Sequence, residues 1–340
     1  MNRFIRYGVG IDMSKDNFHA YFAAIEEATG KFITCAQKKF KNSPAGFDLF
    51  NKWLQKNSKE EIELSLVMEV TGVYHEELLY FLYEKKYAVS LQQGHIVKSY
   101  LKSLGHKSKN DKLDGKGMSQ MCCERKLKPW KPSCPNMLKI RTLLRHRKAL
   151  EKTSTAFKNQ LGAIKCSRLK EQEVIDSLTK WIDKIDEEVK DLEKRSITLA
   201  KEDESFFTKV KMIIDSTFGV SYLTILTLLS ETNGMEEFRN QKQLESYAGY
   251  DIVENSSGKF TGKTKISKRG NARIRAAMYM SALSAAKQNS PFHDLYIRLI
   301  SRNGGFKTKA NVAVQRKMLV IIYTLWKKNE PFDINIYKAA

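Results

Sequence analysis

Several marks of common protein classes are missing from this sequence of 340 residues. No apolar run approaches the roughly 18 residues that a membrane span requires, and the opening MNRFIRYGVGIDMSKDN lacks the apolar core of a signal peptide. No C-x-x-C pair and no Cys/His set with zinc-ligand spacing occurs among the five cysteines, Cys35, Cys122, Cys123, Cys134 and Cys166. We therefore expect a cytoplasmic protein with no membrane partner and with reduced, buried thiols.

Acidic residues are scarce in two long blocks of the chain. Residues 95–170 contain 20 Lys/Arg and 4 Asp/Glu, residues 259–317 contain 14 and 1, and residues 171–204 between them contain 6 and 12. The formal net charge is +21. A charge that served solubility alone would be spread more evenly, so the two basic blocks predict two nucleic-acid-binding surfaces. An anionic membrane surface is the weaker alternative, because neither block has a clean amphipathic helix with an exposed aromatic face.

Residues 1–130 have the pattern of an α/β unit. Hydrophobic residues make up 42% of the chain, which excludes disorder, and the length predicts two or three such units. Three alternating segments joined by short turns predict an antiparallel meander: FIRYGVGID, NFHAYFAAI and KFITCAQKKF. Helices and strands then alternate, with a helix-start signal in Asn-Ser-Pro at 42–44, through AGFDLFNKWLQK, IELSLVMEV, YHEELLYFLYEKK and YAVSLQ. The pattern predicts a mixed sheet with helices on its faces.

Four acids in this unit are candidates for metal binding. Asp12 ends the first predicted strand and Glu69 ends the fourth, and a carboxylate that follows an apolar run is not where a solvated charge usually lies. If the two strands are neighbours, their carboxylates lie within one strand spacing. Asp111 and Asp114 are three residues apart, which places both on one face of a helix.

Carboxylates that converge repel one another without a cation, and hard divalent metals are their usual partners. We therefore expect Mg²⁺, with Mn²⁺ as the alternative, and two such ions can activate an attacking oxygen and stabilise a leaving one in phosphoryl transfer. The lysines around the acids, Lys107, Lys109 and Lys112, would then bind phosphates. The simpler interpretation of this stretch is a solvated, charged helix face.

The motifs GIDMSK, MEVTGVY and NDKLDGKGM, in this order, resemble a known domain. It is the four-acid (DEDD), RNase H/RuvC-like domain of the Piv-type insertion-sequence recombinases, the family of the bridge-RNA-guided transposases. The family pattern is roughly GID-x-[AS]-K, E-[AG]-TG-x-Y and D-x-x-DA. The resemblance implies that Asp12, Glu69, Asp111 and Asp114 are its four acids. Gly115 stands where the family usually has Ala, a small departure that we expect to leave metal binding intact.

Residues 131–205 are predicted to be helical and to form a coiled coil. The residues with 4-3 spacing extend over about three heptads, with Ser196 interrupting one position: Leu178, Ile182, Ile185, Val189, Leu192 and Leu199. Pairing with the same helix of another copy is the favoured interpretation, and packing within the helix's own domain is the alternative. The resemblance implies assembly through a coiled coil, as a homodimer or homotetramer.

Residues 206–340 are predicted to form a mainly helical domain. IIDSTFGVSYLTILTLLSETNG predicts two short helices about a Gly turn, in a region that resembles the helix-hairpin-helix-like part of the family's transposase domain. The usual Pro-Gly-Ile-Gly turn is replaced by Ser216, Thr217, Phe218 and Gly219, so we expect this turn to serve packing. A further helix through QKQLESYAG follows, and RKMLVIIYTLWKKNEPFD is expected to close the domain.

The stretch from 248 to 275 predicts a phosphate-binding loop. Ser-Ser-Gly lies in a polar loop, and ISKRGN precedes an alanine-rich helix whose first amides can bind phosphate. The basic residues here are Lys259, Lys263, Lys265, Lys268, Arg269, Arg273 and Arg275. A serine attacks phosphorus only when its alkoxide and the phosphate are both stabilised. The spacing AG-x(7)-SG, then SK-x-G-x-x-x-[LI]-R, resembles the C-terminal signature of the family, which implies that Ser257 is the nucleophile, with Ser256 as the second choice.

Together these features predict a DNA transposase that cuts and exchanges strands through a covalent phosphoserine intermediate. The resemblance implies double-stranded DNA as substrate, a noncoding guide RNA, and a composite site with acids from one copy and serine from another. Three alternatives stay open: a Piv-like site-specific DNA invertase, a metal-only RuvC-like junction nuclease without serine catalysis, and a basic nucleic-acid-binding protein with a degenerate site.

Overall fold

The computed structural model describes residues 3–70, 72–105, 111–254, 256–257, 260–262, 264–287, 289–302 and 304–335. At residues 111, 112, 260 and 261 the description covers the backbone and not the side chain. The chain divides into two compact units, residues 1–132 and residues 133–340. The three-part division predicted from the sequence, with boundaries at 130 and 205, stays a prediction.

The first unit is an α/β domain, as its sequence pattern predicts. Its elements in chain order are β1 (Phe4–Met13), β2 (Asn17–Glu26), β3 (Phe32–Lys41), α1 (Pro44–Asn57), β4 (Leu64–Glu69), α2 (Glu76–Glu84), β5 (Ala88–Gln92), α3 (Gly94–Ser103) and α4 (Asp111–Glu124). The helix-start signal is confirmed, because Ser43 caps α1 by accepting a hydrogen bond from the backbone N–H of Gly46 at 3.4 Å.

One five-stranded mixed sheet, in the order β3-β2-β1-β4-β5, forms the centre of this unit. The first three strands are antiparallel neighbours, which confirms the predicted meander. β4 pairs with β1 in parallel, and β5 pairs with β4 in parallel. The chain therefore places its first and fourth strands side by side in the middle of the sheet.

The two faces of the sheet are covered differently. One face buries the aromatic side chains of β2 and β3 against α1 and α2, in a cluster that includes Phe18, Phe40 and Phe50. On the other face lies α4, which approaches β1 at two glycines. A Cβ on Gly10 would lie 2.5 Å from the backbone oxygen of Gly115, so only glycine permits this contact. Helix α4 is thereby held directly against the central strand.

The second unit is predominantly helical. Its helices are α5 (Pro135–Cys166), α6 (Gln172–Lys201), α7 (Glu204–Ser216), α8 (Tyr222–Glu231), α9 (Gln241–Ala248), α10 (Ala272–Lys287), α11 (Pro291–Arg302) and α12 (Lys307–Lys328). Between α9 and α10 lie four strands of two residues each, β6 (Ile252–Val253), β7 (Ser256–Ser257), β8 (Phe260–Thr261) and β9 (Lys265–Ile266). The mainly helical C-terminal half is thus as predicted, but the polar loop contains short strands.

Helices α5 and α6 form a hairpin in which the 4-3 face of α6 is buried, with Leu178, Ile182, Ile185 and Leu192 each at most 8% exposed. Polar bonds join the two helices: Ser154 Oγ donates to Asp186 Oδ1 at 2.8 Å, and Arg147 Nε donates to Glu193 Oε1 at 2.7 Å. The 4-3 face of α6, which is predicted to pair with another copy, is therefore covered by α5 of the same chain. A dimer or tetramer stays a prediction, and assembly through these two helices would have to use their other residues.

The turn at 216–219 packs, as its sequence predicts. Gly219 has φ +70°, and a Cβ there would lie 2.5 Å from the backbone nitrogen of Ala285 on α10. Phe218 contacts the hydrophobic core of the unit. The turn is therefore closed against a neighbouring helix.

The cysteines and the membrane prediction can also be compared with the structure. No helix in the described part of the chain combines the length and the apolar character that a membrane crossing needs. All five cysteines are free, but the expectation that they are buried is wrong for Cys35, Cys134 and Cys166, which are exposed. Burial raises the pKa of the Cys123 thiol to about 12, although Arg6 opposes the shift, so this thiol stays protonated near neutral pH.

Candidate functional site

The sheet register brings two of the predicted acids together. Ile11 of β1 pairs with Met68 of β4 in the parallel ladder, so the next residues, Asp12 and Glu69, lie level on neighbouring strands. Neighbouring strands are about 4.8 Å apart, and residues in register point to the same face. The first and fourth strands are therefore neighbours, as the predicted convergence of Asp12 and Glu69 requires.

Helix α4 brings the other two acids towards the same place. A Cβ on Gly8 would meet the backbone oxygen of Ser119, and a Cβ on Gly10 would meet that of Gly115, both at 2.5 Å. The strand and the helix therefore run in opposite directions. The step from Gly8 to Gly10 covers about 6.6 Å of β1, and the matching step from Ser119 back to Gly115 covers about 6 Å of α4. Two further residues of β1 lead to Asp12, which therefore lies beside the first turn of α4. This turn contains Asp114 and the backbone of Asp111, whose side chain is outside the description.

Glu69 lies at the beginning of helix α3. A Cβ on Gly94, the first residue of that helix, would lie 2.4 Å from Glu69 Oε1, so the carboxylate occupies the space that a side chain would need. A negative charge is favourable near the N-terminus of a helix because of the helix dipole. Gly94 therefore makes room for the carboxylate and places it in a positive part of the backbone field.

Asn42 connects the loops that follow the two acid-bearing strands. Its Nδ2 lies within hydrogen-bonding distance of three backbone oxygens: Ser14 at 3.2 Å and Lys15 at 3.3 Å after β1, and Tyr74 at 3.0 Å after β4. The sequence pattern had used this residue only as a helix-start signal. Its bonds indicate a positioning role for Asn42 at the carboxyl ends of both strands.

The donor set at this edge of the sheet has the chemistry of a site for a hard divalent cation. Carboxylate oxygens are the ligands that Mg²⁺ and Mn²⁺ prefer. Among the side chains that the structure describes, a set without Asp111, no group of three or more His, Cys, Asp or Glu is close enough to hold a metal ion. Asp12, Glu69 and Asp114 therefore lie on neighbouring elements, but as described they are too far apart to hold one ion as a group of three.

The predicted serine lies on an exposed ribbon in the second unit. In one ladder Ser256 pairs with Thr261 and Ser257 pairs with Phe260. In the other, Ile252 pairs with Ile266 and Val253 pairs with Lys265. These are two separate two-residue ladders, and Ser257 belongs to the first of them. Both serines are exposed. The Ser257 hydroxyl is thus presented to solvent, and Ile252 and Val253 of the other ladder are exposed as well.

The predicted phosphate-binding residues divide into three groups. Lys107, Lys109, Lys259 and Lys263 lie outside the described residues, as does the side chain of Lys112. Lys265, Lys268 and Arg269 are exposed. Arg273 and Arg275 begin α10 and contact the protein itself, since Arg275 Nη1 donates to the backbone oxygen of Ala248 at 2.7 Å and Arg273 Nε lies 3.8 Å from Glu231 Oε1.

A buried carboxylate holds the beginning of α10 in place. Glu231, whose side chain is 3% exposed, accepts two hydrogen bonds from Arg145 at 2.7 and 2.8 Å and one from Asn271 Nδ2 at 2.8 Å. Asn271 Oδ1 in turn accepts from the backbone N–H groups of Arg273 and Ile274, at 2.9 and 3.3 Å, and so caps α10. Glu231 thereby connects α5, α8 and the basic first turn of α10.

The pKa of Glu231 lies below its ordinary value. Burial by itself would raise it, but the hydrogen bonds from Arg145 and Asn271 and the positive charges of Arg145 and Arg273 outweigh burial. The carboxylate is therefore ionised at neutral pH. The sequence contains no local signal for the role of Glu231, because this residue lies in an apolar helix and its partner Arg145 is 86 residues away along the chain.

Segments of both units match models of known transposase domains. Residues 9–164 match a transposase model of the DEDD type from IS110 elements, and residues 211–297 match the model described as the IS116/IS110/IS902 transposase family. The first match contains the four predicted acids and the second contains Ser257. Each unit therefore contains a segment that is similar to a domain of IS110-type transposases.

Individual relatives agree with this class. The pilin gene-inverting protein of Moraxella bovis is 25% identical over 97% of this chain and 98% of its own length. The transposase for insertion sequence element IS1111A of Coxiella burnetii is 24% identical over 69% of this chain and 70% of its own length. Among solved structures, the Aquifex aeolicus member of the Ppx/GppA family aligns over 96% of this chain and 92% of that one, at 11% identity and a TM-score of 0.23, a similarity that carries no argument.

Proposed function

We propose that this protein is a DNA transposase of a mobile insertion sequence that cuts and exchanges strands through a covalent phosphoserine intermediate. The observation that carries the proposal is the level placement of Asp12 and Glu69 on adjacent parallel strands, beside the first turn of α4. In this proposal the five-stranded sheet is an RNase H/RuvC-like platform, and its substrate is double-stranded DNA.

The four acids Asp12, Glu69, Asp111 and Asp114 would hold Mg²⁺ or Mn²⁺ at the carboxyl end of β1 and β4. When bound, such an ion neutralises the charge that develops on a phosphate during substitution. The chain contributes the placement: Asn42 fixes the loops after the two strands, and Gly94 leaves room for the Glu69 carboxylate. The basic residues Lys265, Lys268 and Arg269 would bind phosphates next to the serine ribbon.

The proposed chemistry consists of two balanced substitutions at phosphorus. The Ser257 oxygen forms a bond to phosphorus while the bond to a deoxyribose oxygen breaks, and the proton lost by the serine is balanced by the proton gained by the leaving hydroxyl. A hydroxyl of a second strand then attacks the phosphoserine, restores a phosphodiester and returns a proton to Ser257. The energy of the phosphodiester is conserved, so no nucleotide cofactor is consumed.

A covalent-adduct assay tests the proposal. Denaturing gels of cells that carry the gene with its native flanking DNA should contain a protein–DNA adduct with the unchanged protein. Neither Ser257→Ala nor Asp114→Asn should give the adduct, while Ser256→Ala should retain it. Cleavage by Ser257→Ala without any adduct would replace this mechanism with the metal-only junction nuclease. Mixing the Ser257→Ala and Asp114→Asn proteins tests whether acids and serine can come from different copies, because only then does the mixture form adduct.

A site-specific DNA invertase is the second candidate, because the relative that inverts a pilin gene matches this chain over nearly its whole length. We further propose that a noncoding RNA guides the protein in its role as a transposase. RNA recovered with the protein from cells and protected from nuclease should map beside the gene. Inversion of a neighbouring segment without any protected RNA would favour the invertase.

A further inference from the structure

The acid pair belongs to a row of polar residues that crosses the whole sheet. Asp12 pairs with His19 of β2, His19 pairs with Lys39 of β3, and Glu69 pairs with Gln92 of β5. Residues paired in register point to one face, so all five side chains lie on the face that α4 covers in part. The row is acidic at β4 and β1 and basic at β3, two strand spacings, or about 10 Å, from Asp12.

The basic end of this row is open. Helix α4 packs tightly on Tyr21 of β2, whose ring lies against Gly115. Beyond it, Gln37 and Lys39 on β3 are exposed, and His19 is partly exposed. A concavity of about 260 Å³ follows this part of the sheet, lined by His19, Ala20, Tyr21, Gln37, Lys38 and Lys39. We name His19, Gln37 and Lys39 the open strip.

The charges of the open strip are available to an anionic partner. Among the described residues no ion pair engages Lys39, whereas Lys38 points to the opposite face of β3 and lies over the ring of Phe40 at 5.4 Å. Lysines on an edge strand also discourage pairing with the edge of another sheet. That role needs only positive charge on β3, whereas the register also places the His19 imidazole level with the acids and the Gln37 amide on the same face, two residues before Lys39.

We propose that the open strip binds the phosphodiester backbone of the nucleic-acid strand on one side of the phosphate held by the acids. This inference rests on the proposed function and extends it by naming where the strand continues. A strand of B-DNA has one phosphate per about 3.4 Å of axis, so the 10 Å from Asp12 to Lys39 spans about three phosphates. The lysine supplies charge, and His19 and Gln37 supply hydrogen-bond donors.

Binding to a fluorescein-labelled 30-nucleotide DNA, as single strand and as duplex, tests the proposal. Lys39→Glu should weaken binding about 10-fold at 0.1 M salt and lower the slope of log affinity against log salt by about 1. His19→Ala should weaken it about threefold. Lys52→Glu on α1, at the opposite face of the sheet, is the charge-matched control and should change affinity less than twofold. Equal effects of Lys39→Glu and Lys52→Glu, or self-association of Lys39→Glu with unchanged affinity, would overturn the proposal.

Crosslinking locates the strand independently of cleavage. p-Benzoylphenylalanine in place of Gln37 should form an adduct with the labelled DNA under ultraviolet light, and the same residue in place of Lys52 should not. An adduct that persists with Asp12→Asn supports the strip even if strand cleavage follows another mechanism. No adduct from position 37, in a protein that binds the DNA normally, would place the strand elsewhere.

Discussion

The two units present their predicted chemistry in opposite ways. Asp12 and Glu69 each follow a buried residue on the central strands of a five-stranded sheet, and the ladder and the helix packing fix their positions. Ser257 lies on an exposed ribbon whose ladders are two residues long. Short ladders with few buried contacts open at low free-energy cost, whereas central strands open only with the whole domain. In the proposed mechanism the acid half would therefore be preformed, and the serine half would adapt to its substrate.

The largest effect is expected from neutralising an acid. Asp12→Asn or Glu69→Gln should reduce strand cleavage by 10³-fold or more, on the order of 4 kcal/mol of transition-state stabilisation. The melting temperature should change little, because the relief of repulsion between the two carboxylates is offset by the interactions that each carboxylate loses, such as that of Glu69 with the N-terminus of α3. Cleavage assays at saturating Mg²⁺, with melting curves of the same preparations, check both parts. Full activity of both variants would mean that the level carboxylates do not hold the reacting metal.

A large effect on stability is expected at Glu231, where the second unit does have a rigid, buried ionic site. Glu231→Gln leaves Arg145 without its carboxylate and should cost about 3 kcal/mol. In a unit of this size the melting temperature should fall by about 10 °C. Glu236→Gln, at an exposed position five residues further on, is the control and should melt like the unchanged protein. Equal melting of the two variants would contradict a structural role for the buried carboxylate.

The same residue predicts a dependence of stability on pH. Because the pKa of Glu231 is lower in the folded state, its contribution is present above the ordinary glutamate pKa and is lost as the pH falls through the folded value. Melting temperatures of the second unit should therefore fall below about pH 4, and less steeply for Glu231→Gln than for the unchanged protein. Parallel pH profiles for the two proteins would show that Glu231 is not responsible.

A smaller effect is expected at Gly115, which belongs to the preformed half. A Cβ there would lie 2.0 Å from the Tyr21 ring, so Gly115→Ala should cost about 2 kcal/mol through overpacking. Combining it with Tyr21→Ala should recover part of this cost, and combining it with Tyr21→Phe should not, because the clash is with the ring. A double-mutant cycle of unfolding free energies measures the coupling. Additive costs for Gly115→Ala and Tyr21→Ala would mean that α4 moves away freely.

Features with a local sequence signal could be predicted, and features that depend on residues far apart in the chain could not. Strands and helices of the first unit have local periodicity, so their pattern sufficed. The adjacency of Asp12 and Glu69 depends on strand order, which the pattern allowed without proving. The sequence around Ser257 predicts a loop, because strands of two residues are too short to show an alternating pattern of apolar and polar residues. Glu231 and its partner Arg145 are 86 residues apart, so their pairing has no local signal.

The smallest effect is expected at Asn42, which ties together the loops of the preformed half. Asn42→Ala removes the bonds to Ser14, Lys15 and Tyr74, and should cost about 1 kcal/mol because water can replace them. Since the acids would be held less firmly, the Mg²⁺ concentration for half-maximal cleavage should rise several-fold. Asn57→Ala removes a single bond to the Trp53 oxygen at the end of α1 and is the control. If both variants lose similar stability but only Asn42→Ala needs more Mg²⁺, the loops position the acids; if neither does, the sheet alone is sufficient.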